Sequence, residues 1–105
     1  MAAYVITYLE VTDRKVFEAY RRAAGPTFGS YGGRALVVDG SFRVLEGMIH
    51  PQAVVVVEFG SLEQAEGWYA SPEYGRTIPL RQQSANSSLI LVDGLAAPRI
   101  GGDPR

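Results

Sequence analysis

Polar side chains recur on one face of the β-strands that the sequence predicts. Tyr8, Glu10, Arg34, Glu58 and Ser88 occupy even-numbered positions in stretches with strand character, and alternate residues of a strand share a face. Polar groups among apolar neighbours destabilise a fold unless they are paired. In a catalytic site, Arg34 would bind a substrate carboxylate or enolate while Glu58 shuttles a proton. In a structural arrangement, the same two side chains form an ion pair that fixes the register of strands or subunits.

The single histidine, His50, lies in a predicted loop over residues 47–52. Histidine has an ordinary pKa close to neutrality, and catalytic groups often lie on loops. We therefore take His50 as a third catalytic candidate beside Arg34 and Glu58; a solvated surface histidine is the structural alternative. With one histidine and no cysteine, the chain offers few ligands for haem or a transition metal. We expect no metal and no cofactor.

Aromatic side chains could line a pocket for an aromatic ligand. At helical spacing most of them are expected to pack in the core. Tyr8 and Tyr74 are the exceptions, because Tyr8 lies on the polar strand face and Tyr74 follows a helix cap, and a buried tyrosine hydroxyl needs a partner. We assign Tyr8, Tyr74 and Ser88 to substrate binding. The aromatic residues considered are Tyr4, Tyr8, Tyr20, Phe28, Tyr31, Trp68, Tyr69 and Tyr74.

Alternating or β-branched stretches predict the strands that hold these residues. The predicted strands cover residues 4–11, 34–38, 42–46, 53–59 and 88–92. Asp39-Gly40 is typical of the turn of a hairpin and joins the second stretch to the third. The stretch at 53–59 is apolar on both faces apart from Glu58, which indicates that both of its faces are buried.

Capping residues and an aromatic stripe predict the helices. Phe and Tyr side chains at spacings of three and four follow Asp13, a good N-cap. Gly25-Pro26 predicts a break or kink near Ala24, with Pro26 opening a second short segment, and Gly32-Gly33 predicts the end of the helix. Ser61 and Ser71 stand where N-caps of later helices belong.

The resulting order is β-α-β-β-α-β, with the second β position split into a hairpin. This is the order of a ferredoxin-like α+β sandwich, an antiparallel sheet with helices on one face. We expect one domain over residues 1–94 and a flexible tail over 95–105. The second sheet face would then be too apolar for a monomer in water, so we expect a homodimer through that face, burying roughly 600–900 Å² per subunit. The alternative is that the helices cover this apolar face of the sheet and that the opposite face is exposed to solvent. The expected apolar members are Ile6, Leu36, Leu45, Val54, Val56, Ile90 and Val92.

The composition excludes several classes of partner. The 105 residues carry a net charge of −1 without a block of like charge, so no basic surface is available for nucleic acid or an anionic membrane. No apolar run approaches the roughly 20 residues of a membrane helix, and the first residues alternate like a strand and not like a signal peptide. The absence of cysteine fits a reducing compartment. We expect a cytoplasmic protein with neither a nucleic-acid nor a membrane partner.

A characteristic combination of short pieces runs through the chain. They are Tyr4-Val5-Ile6, Glu10-Val11-Thr12-Asp13, Tyr20-Arg21, Ala24-Gly25-Pro26-Thr27, Tyr31-Gly32-Gly33-Arg34, Val44-Leu45-Glu46-Gly47, Val56-Val57-Glu58-Phe59, Ser71-Pro72-Glu73-Tyr74 and Pro79-Leu80-Arg81. Together they resemble the domain-of-unknown-function family 1330, in the dimeric α+β barrel superfamily, over about residues 3–94. The resemblance implies a ferredoxin-like fold in which two sheets form a barrel across a dimer. Gly60 departs from the proline expected there, which should loosen a turn and leave the fold intact.

The resemblance brings no established reaction. The wider superfamily includes cofactor-free monooxygenases acting on polyketides, haem-degrading enzymes, muconolactone isomerases and small-molecule-binding proteins. With the polar cluster, this supports a metal-free enzyme that acts on a small organic acid or aromatic metabolite by proton transfer or cofactor-independent oxygenation. The alternative is a non-catalytic dimer that binds a small ligand or serves a structural role.

Overall fold

An antiparallel sheet organises the protein. The computed structural model describes residues 2–38, 42–49 and 52–95. Within these ranges the strands are β1 (Ala3–Val11), β2 (Arg34–Val37), β3 (Ala53–Phe59) and β4 (Ala85–Asp93). They lie in the order β2-β3-β1-β4, and each neighbouring pair is antiparallel. This is the predicted ferredoxin-like topology.

The described residues form four helices, and the first three begin at the predicted caps. The helices are α1 (Arg14–Gly29), α2 (Leu62–Ala70), α3 (Pro72–Gly75) and α4 (Ile78–Ser84). Asp13 Oδ1 accepts a bond from the Val16 N–H at 3.1 Å. Ser61 and Ser71 likewise accept from the backbone N–H three residues ahead, each at 3.1 Å. These bonds satisfy N–H groups that have no partner within the helix.

The two faces of the sheet differ as residue parity predicts. Odd-numbered side chains such as Val5 and Phe59 are buried beneath the helices, and we call this the covered face. Even-numbered side chains such as Tyr8, Ile90 and Val92 remain 36–46% exposed, and we call theirs the open face. The open face carries Tyr4, Ile6, Tyr8, Glu10, Arg34, Val54, Val56, Glu58, Ser88, Ile90 and Val92.

The predicted strand at residues 42–46 is wrong. The described segment 42–49 forms neither a strand nor a helix, and Leu45, expected on the apolar sheet face, is 93% exposed. β2 has only four residues, and its register with β3 shifts between Ala35 and Val37. Such an irregularity bends an edge strand and disrupts the ladder that a further strand would extend. The predicted Asp39-Gly40 turn lies outside the described residues.

The predicted break near Ala24, with a second segment opening at Pro26, does not occur, because the helix continues through Pro26 to Gly29. Proline lacks the N–H that would bond the carbonyl of Arg22, but both residues are exposed, so water can take its place. The predicted end is confirmed: Gly32 adopts a left-handed conformation with φ 77°, and the Gly33 N–H donates to the Phe28 carbonyl at 2.9 Å.

An aromatic cluster fills the core between the covered face and the helices. The Trp68 ring centroid lies 4.0 Å from that of Tyr74 and 5.4 Å from those of Phe28 and Phe59. Trp68 Nε1 donates to Thr27 Oγ1 at 2.9 Å. The indole is therefore fixed to α1 as well as to the sheet.

Candidate functional site

Arg34 and Glu58 meet on the open face, as parity predicts. They are register partners on β2 and β3, and Arg34 Nε donates to Glu58 Oε1 at 3.0 Å. Tyr4, the partner of Glu58 on β1, donates to the other carboxylate oxygen at 3.2 Å. This bond raises the pKa of the Tyr4 hydroxyl, with burial as a smaller cause. The three side chains form a cross-strand cluster in which both oxygens of Glu58 are already bonded.

Tyr8 and Ser88 lie elsewhere on the same face. They are register partners on β1 and β4, and Tyr8 also pairs with Val54. Val54 precedes Glu58 by four strand residues, which corresponds to about 13 Å. Tyr8 and Ser88 instead border an open depression of about 560 Å³ that includes Glu10. The structure thus brings these two together but does not place them beside Arg34 and Glu58.

Tyr74 lies on the opposite side of the sheet from Tyr8, Arg34, Glu58 and Ser88. It belongs to α3, is fully buried and packs against Trp68. The expectation that it joins Tyr8 and Ser88 in one binding site therefore does not fit the geometry. The third catalytic candidate, His50, lies outside the described residues.

A cavity of about 410 Å³ lies between α1 and the covered face. We call it the α1 cavity. Its walls are mostly apolar, and small residues on α1 leave the space open. An ideal Cβ built on Gly25 or Gly29 would meet no atom within 4 Å. Residues that define the cavity are Val5, Thr7, Phe17, Tyr20, Val57 and Trp68.

Tyr20, one of the residues that line this cavity, forms a hydrogen-bonded pair with Tyr74. Its hydroxyl oxygen lies 2.8 Å from that of the buried Tyr74. Burial raises the pKa of Tyr20, Tyr74 adds to the rise, and the guanidinium of Arg81 opposes it. Tyr20 is therefore a neutral hydroxyl at physiological pH and acts as a hydrogen-bonding group, not as a base.

The described residues contain neither a cluster of metal ligands nor a helix that could span a membrane. Among residues 2–38, 42–49 and 52–95, no three side chains of His, Cys, Asp or Glu come together so as to hold a metal ion. Across the same ranges every helix is too short or too polar to span a membrane.

Residues 2–95 match the family described as a domain of unknown function, DUF1330. The chain belongs to this family. The match spans every helix and strand of the described structure, and it confirms the resemblance. No curated protein matches the chain significantly.

Solved structures similar to this DUF1330 protein share its fold at low sequence identity. A protein of unknown function from Rhodopseudomonas palustris superposes with a TM-score of 0.75 at 20% identity, over 90% of this chain and 83% of that one. SnoaB, a cofactor-independent oxygenase from Streptomyces nogalater, gives a TM-score of 0.63 at 12% identity, over 96% and 98%. A dimeric protein of ferredoxin-like fold from Bacteroides fragilis gives 0.51 at 9% identity, over 89% and 96%.

The sequence allows for an aromatic-lined pocket but does not place one between α1 and the covered face of this DUF1330 protein. Tyr20 and Trp68 were assigned to the core on periodicity alone, which is right for their packing but does not reveal an adjacent space. The available signal is Gly25 and Gly29, one helical turn apart on α1. Two glycines at this spacing leave a groove along one side of a helix.

Proposed function

We propose that this DUF1330 protein binds a small, mainly apolar organic molecule in the α1 cavity. The observation that carries the proposal is the cavity itself. Its volume of about 410 Å³ falls within the usual range for small-molecule sites, which are concave and mostly apolar with a few polar groups. The aromatic walls at Phe17 and Trp68 suit a planar ligand, which could stack on or meet them edge-on.

A second candidate function is cofactor-independent oxygenation of such a ligand. Its support is the whole-length likeness to SnoaB, which is described as an oxygenase of that kind. In the simplest balanced reaction, one O2 converts a CH2 group of the substrate into C=O and releases one water. The substrate supplies all the electrons through its enolate or phenolate form, so the reaction needs no outside reductant.

Glu58 and Arg34 take a different role in this proposal. They form an ion pair on the open face, and Tyr4 donates a hydrogen bond to the carboxylate of Glu58. The α1 cavity borders Arg34 but not Glu58. We assign the cluster to the contact between two subunits, where it would fix the register of facing sheets. Tyr8 and Ser88 would lie in the same interface.

The binding proposal can be tested with the fluorescence of Trp68. It is the only tryptophan of the chain and forms part of the cavity wall, so a bound nitroaromatic quencher reports occupancy. The probe is 4-nitrotoluene, a small neutral aromatic molecule. Wild-type protein should show saturable quenching, beyond the collisional quenching of free tryptophan.

Gly29→Leu should abolish the saturable part of the quenching. Gly29 lines the cavity, and a Cβ built there meets no atom within 4 Å, so leucine can be attached without a clash at its Cβ, adds bulk at the cavity wall and improves helix propensity. Gly75→Leu is the matched control, because Gly75 also ends a helix and faces open space but does not line the cavity. Equal quenching in both variants, or none in the wild type, would refute the binding site.

The oxygenase candidate requires a separate measurement. Oxygen uptake would be followed with a panel of enolisable acids and phenols, using wild type, Gly29→Leu and Gly75→Leu. Uptake above background that Gly29→Leu removes and Gly75→Leu retains supports catalysis in the cavity. Background uptake in all three proteins, together with probe binding, leaves the ligand-binding function and excludes oxygenation of those substrates.

A further inference from the structure

Arg81 is a buried cation on α4 with no carboxylate partner among the described residues. Its side chain is 5% exposed. Nη1 donates to Ser87 Oγ at 2.7 Å, while the buried Nε has no hydrogen-bond partner. Arginine is rarely buried without a paired acid or a ligand. The unpaired charge therefore marks a place where the protein can stabilise negative charge.

The arrangement of protons around Tyr20 connects this charge to the cavity. Tyr74 is fully buried, and its hydroxyl has Tyr20 as its partner within the described structure. The Tyr74 hydroxyl is left unsatisfied as a donor unless it donates to the Tyr20 oxygen. The guanidinium of Arg81, which is close enough to lower the pKa of Tyr20, can donate hydrogen bonds but cannot accept them. Both neighbours thus favour Tyr20 as an acceptor, which leaves its own hydrogen free.

Tyr20 is the member of this group that reaches the α1 cavity. A hydroxyl whose oxygen accepts one bond becomes a stronger donor, since hydrogen bonds in a chain polarise one another. A positive charge behind the hydroxyl adds to this effect when the acceptor is anionic. The free hydrogen of Tyr20 is therefore suited to an oxygen that carries negative charge.

We propose that Tyr20 binds an anionic oxygen of the ligand in the α1 cavity, and that Arg81 and Tyr74 are positioning residues that polarise it. The ligand class is a small aromatic molecule with an ionised oxygen, namely a carboxylate, phenolate or enolate. This inference rests on the proposed function, because it identifies the chemistry of a molecule bound in that cavity. In an oxygenase, the same contact would stabilise the electron-rich form that reacts with O2.

Other arginines near the cavity are less suited to this task. Arg21 lines the cavity, but its side chain is 35% exposed and lies 3.5 Å from Glu18. Arg34 is more exposed and is engaged by Glu58. Because water and these carboxylates screen both charges, the buried Arg81 exerts the stronger effect on an anion within the cavity.

The test compares probes of similar shape and different charge. They are 4-nitrobenzoate, which is anionic, 4-nitrotoluene, which is neutral, and 4-nitrophenolate in mildly alkaline buffer. Quenching of Trp68 gives a dissociation constant for each probe. The proteins are wild type, Tyr20→Phe, Arg81→Gln, Arg81→Lys and Arg21→Gln, the last of which tests a rival arginine in the cavity lining. Each is checked for native circular dichroism and cooperative melting.

Wild type should bind at least one anionic probe about ten- to hundredfold more tightly than 4-nitrotoluene, the range expected for a charged hydrogen bond. Tyr20→Phe and Arg81→Gln should remove this preference and leave 4-nitrotoluene binding within about twofold. Arg81→Lys should restore part of the preference, and Arg21→Gln should retain it. Tighter binding of 4-nitrobenzoate indicates a carboxylate ligand, and tighter binding of 4-nitrophenolate indicates a phenolate or enolate.

Three outcomes would overturn the inference. If wild type binds neutral and anionic probes equally, the cavity is occupied but has no anion preference, and the proposed function survives alone. If Arg21→Gln removes the preference and Tyr20→Phe does not, the anion site lies elsewhere in the cavity. If no probe binds wild type, the proposed function and the inference both fail. Should Arg81→Gln fail to fold, Tyr20→Phe alone decides, because it removes one hydroxyl and keeps the ring.

Discussion

At the residue scale, the open-face cluster shows what parity can predict and what it omits. A strand alternates with a period of two, so Arg34 and Glu58 had to share a face once their strands were identified. Their contact follows from register, and the structure contains it at 3.0 Å. Tyr4 completes the cluster because it is the register partner of Glu58 on β1. The sequence presents Tyr4 only as an aromatic residue and predicts no hydrogen-bond partner for it.

Tyr74 was misplaced because a helix cap specifies where a helix begins and not which side of it faces the sheet. Ser71 caps α3, and Tyr74 then points into the core. Only packing of α3 against Trp68 decides this orientation. The same limit explains why the sequence did not place Tyr74 beside Tyr20, the contact on which the proposed anion site depends.

The Thr27–Trp68 hydrogen bond should make a measurable contribution to stability. Thr27→Val removes the acceptor and leaves a buried indole N–H unsatisfied, which should lower the free energy of unfolding by about 1–3 kcal/mol. Urea denaturation gives the loss. The single indole N–H resonance of Trp68 should also shift upfield in Thr27→Val and stay in place in Thr27→Ser, which keeps the hydroxyl. An unmoved resonance in the valine variant would show that the bond is absent.

The raised pKa of Tyr20 predicts alkaline destabilisation. Its folded-state pKa lies above the ordinary value of 10.0, because burial disfavours the phenolate. The stabilising contribution of the neutral hydroxyl is therefore complete below about pH 10 and is lost as pH rises toward the folded-state pKa. Tyr20→Phe should be less stable at neutral pH, yet its stability should fall less steeply above pH 10. Parallel stability profiles for wild type and variant would contradict this assignment.

At the element scale, capping residues and apolar periodicity predicted the helices better than the helix-breaking pair Gly25-Pro26 did. Ser61, Ser71 and Asp13 each accept the expected backbone bond, because a short side chain before a helix can satisfy an N–H locally. Pro26 did not interrupt α1 since its missing bond lies on the solvent side. Whether proline breaks a helix depends on what faces it, and the local sequence does not contain that information.

The N-caps Ser61 and Ser71 should contribute different amounts to the free energy of unfolding. Ser71 is 5% exposed, and its hydroxyl both accepts from the Tyr74 N–H and donates to the Trp68 carbonyl at 2.6 Å. Ser61 is half-buried and accepts one bond, which water can replace. Ser71→Ala should therefore cost about 1.5–2 kcal/mol and Ser61→Ala about 0.5–1 kcal/mol. Urea denaturation of both variants tests the order, and a larger loss at Ser61 would contradict it.

At the scale of the whole molecule, the sheet separates two surfaces with different tasks. The covered face holds the α1 cavity, whose occupant we propose to be an organic anion. The open face presents apolar side chains that include Ile90 and Val92, 46% and 39% exposed. A ligand in the cavity therefore need not touch the open face. If the ligand binds in the α1 cavity as proposed, the predicted site residues on the open face do not contact it.

On the open face Tyr8, Ile90 and Val92 are 36–46% exposed, and adjoining exposed apolar side chains are typical of a protein interaction surface. A second copy of the chain would cover it symmetrically, with each sheet facing the other. We therefore expect the wild-type protein to sediment as a dimer.

Tyr8→Asp should separate the subunits, and Tyr69→Asp should not. Tyr8 lies on the open face and Tyr69 on α2, 36% and 49% exposed respectively, so aspartate at either position remains solvated in a monomer. In a dimer joined through the open face, Tyr8→Asp buries two like charges, which costs several kcal/mol and raises the dimer dissociation constant by at least about 100-fold. Sedimentation velocity over a concentration series measures this constant, and circular dichroism confirms the fold. A monomeric wild type, or equal dissociation of the two variants, would exclude the open face as the interface.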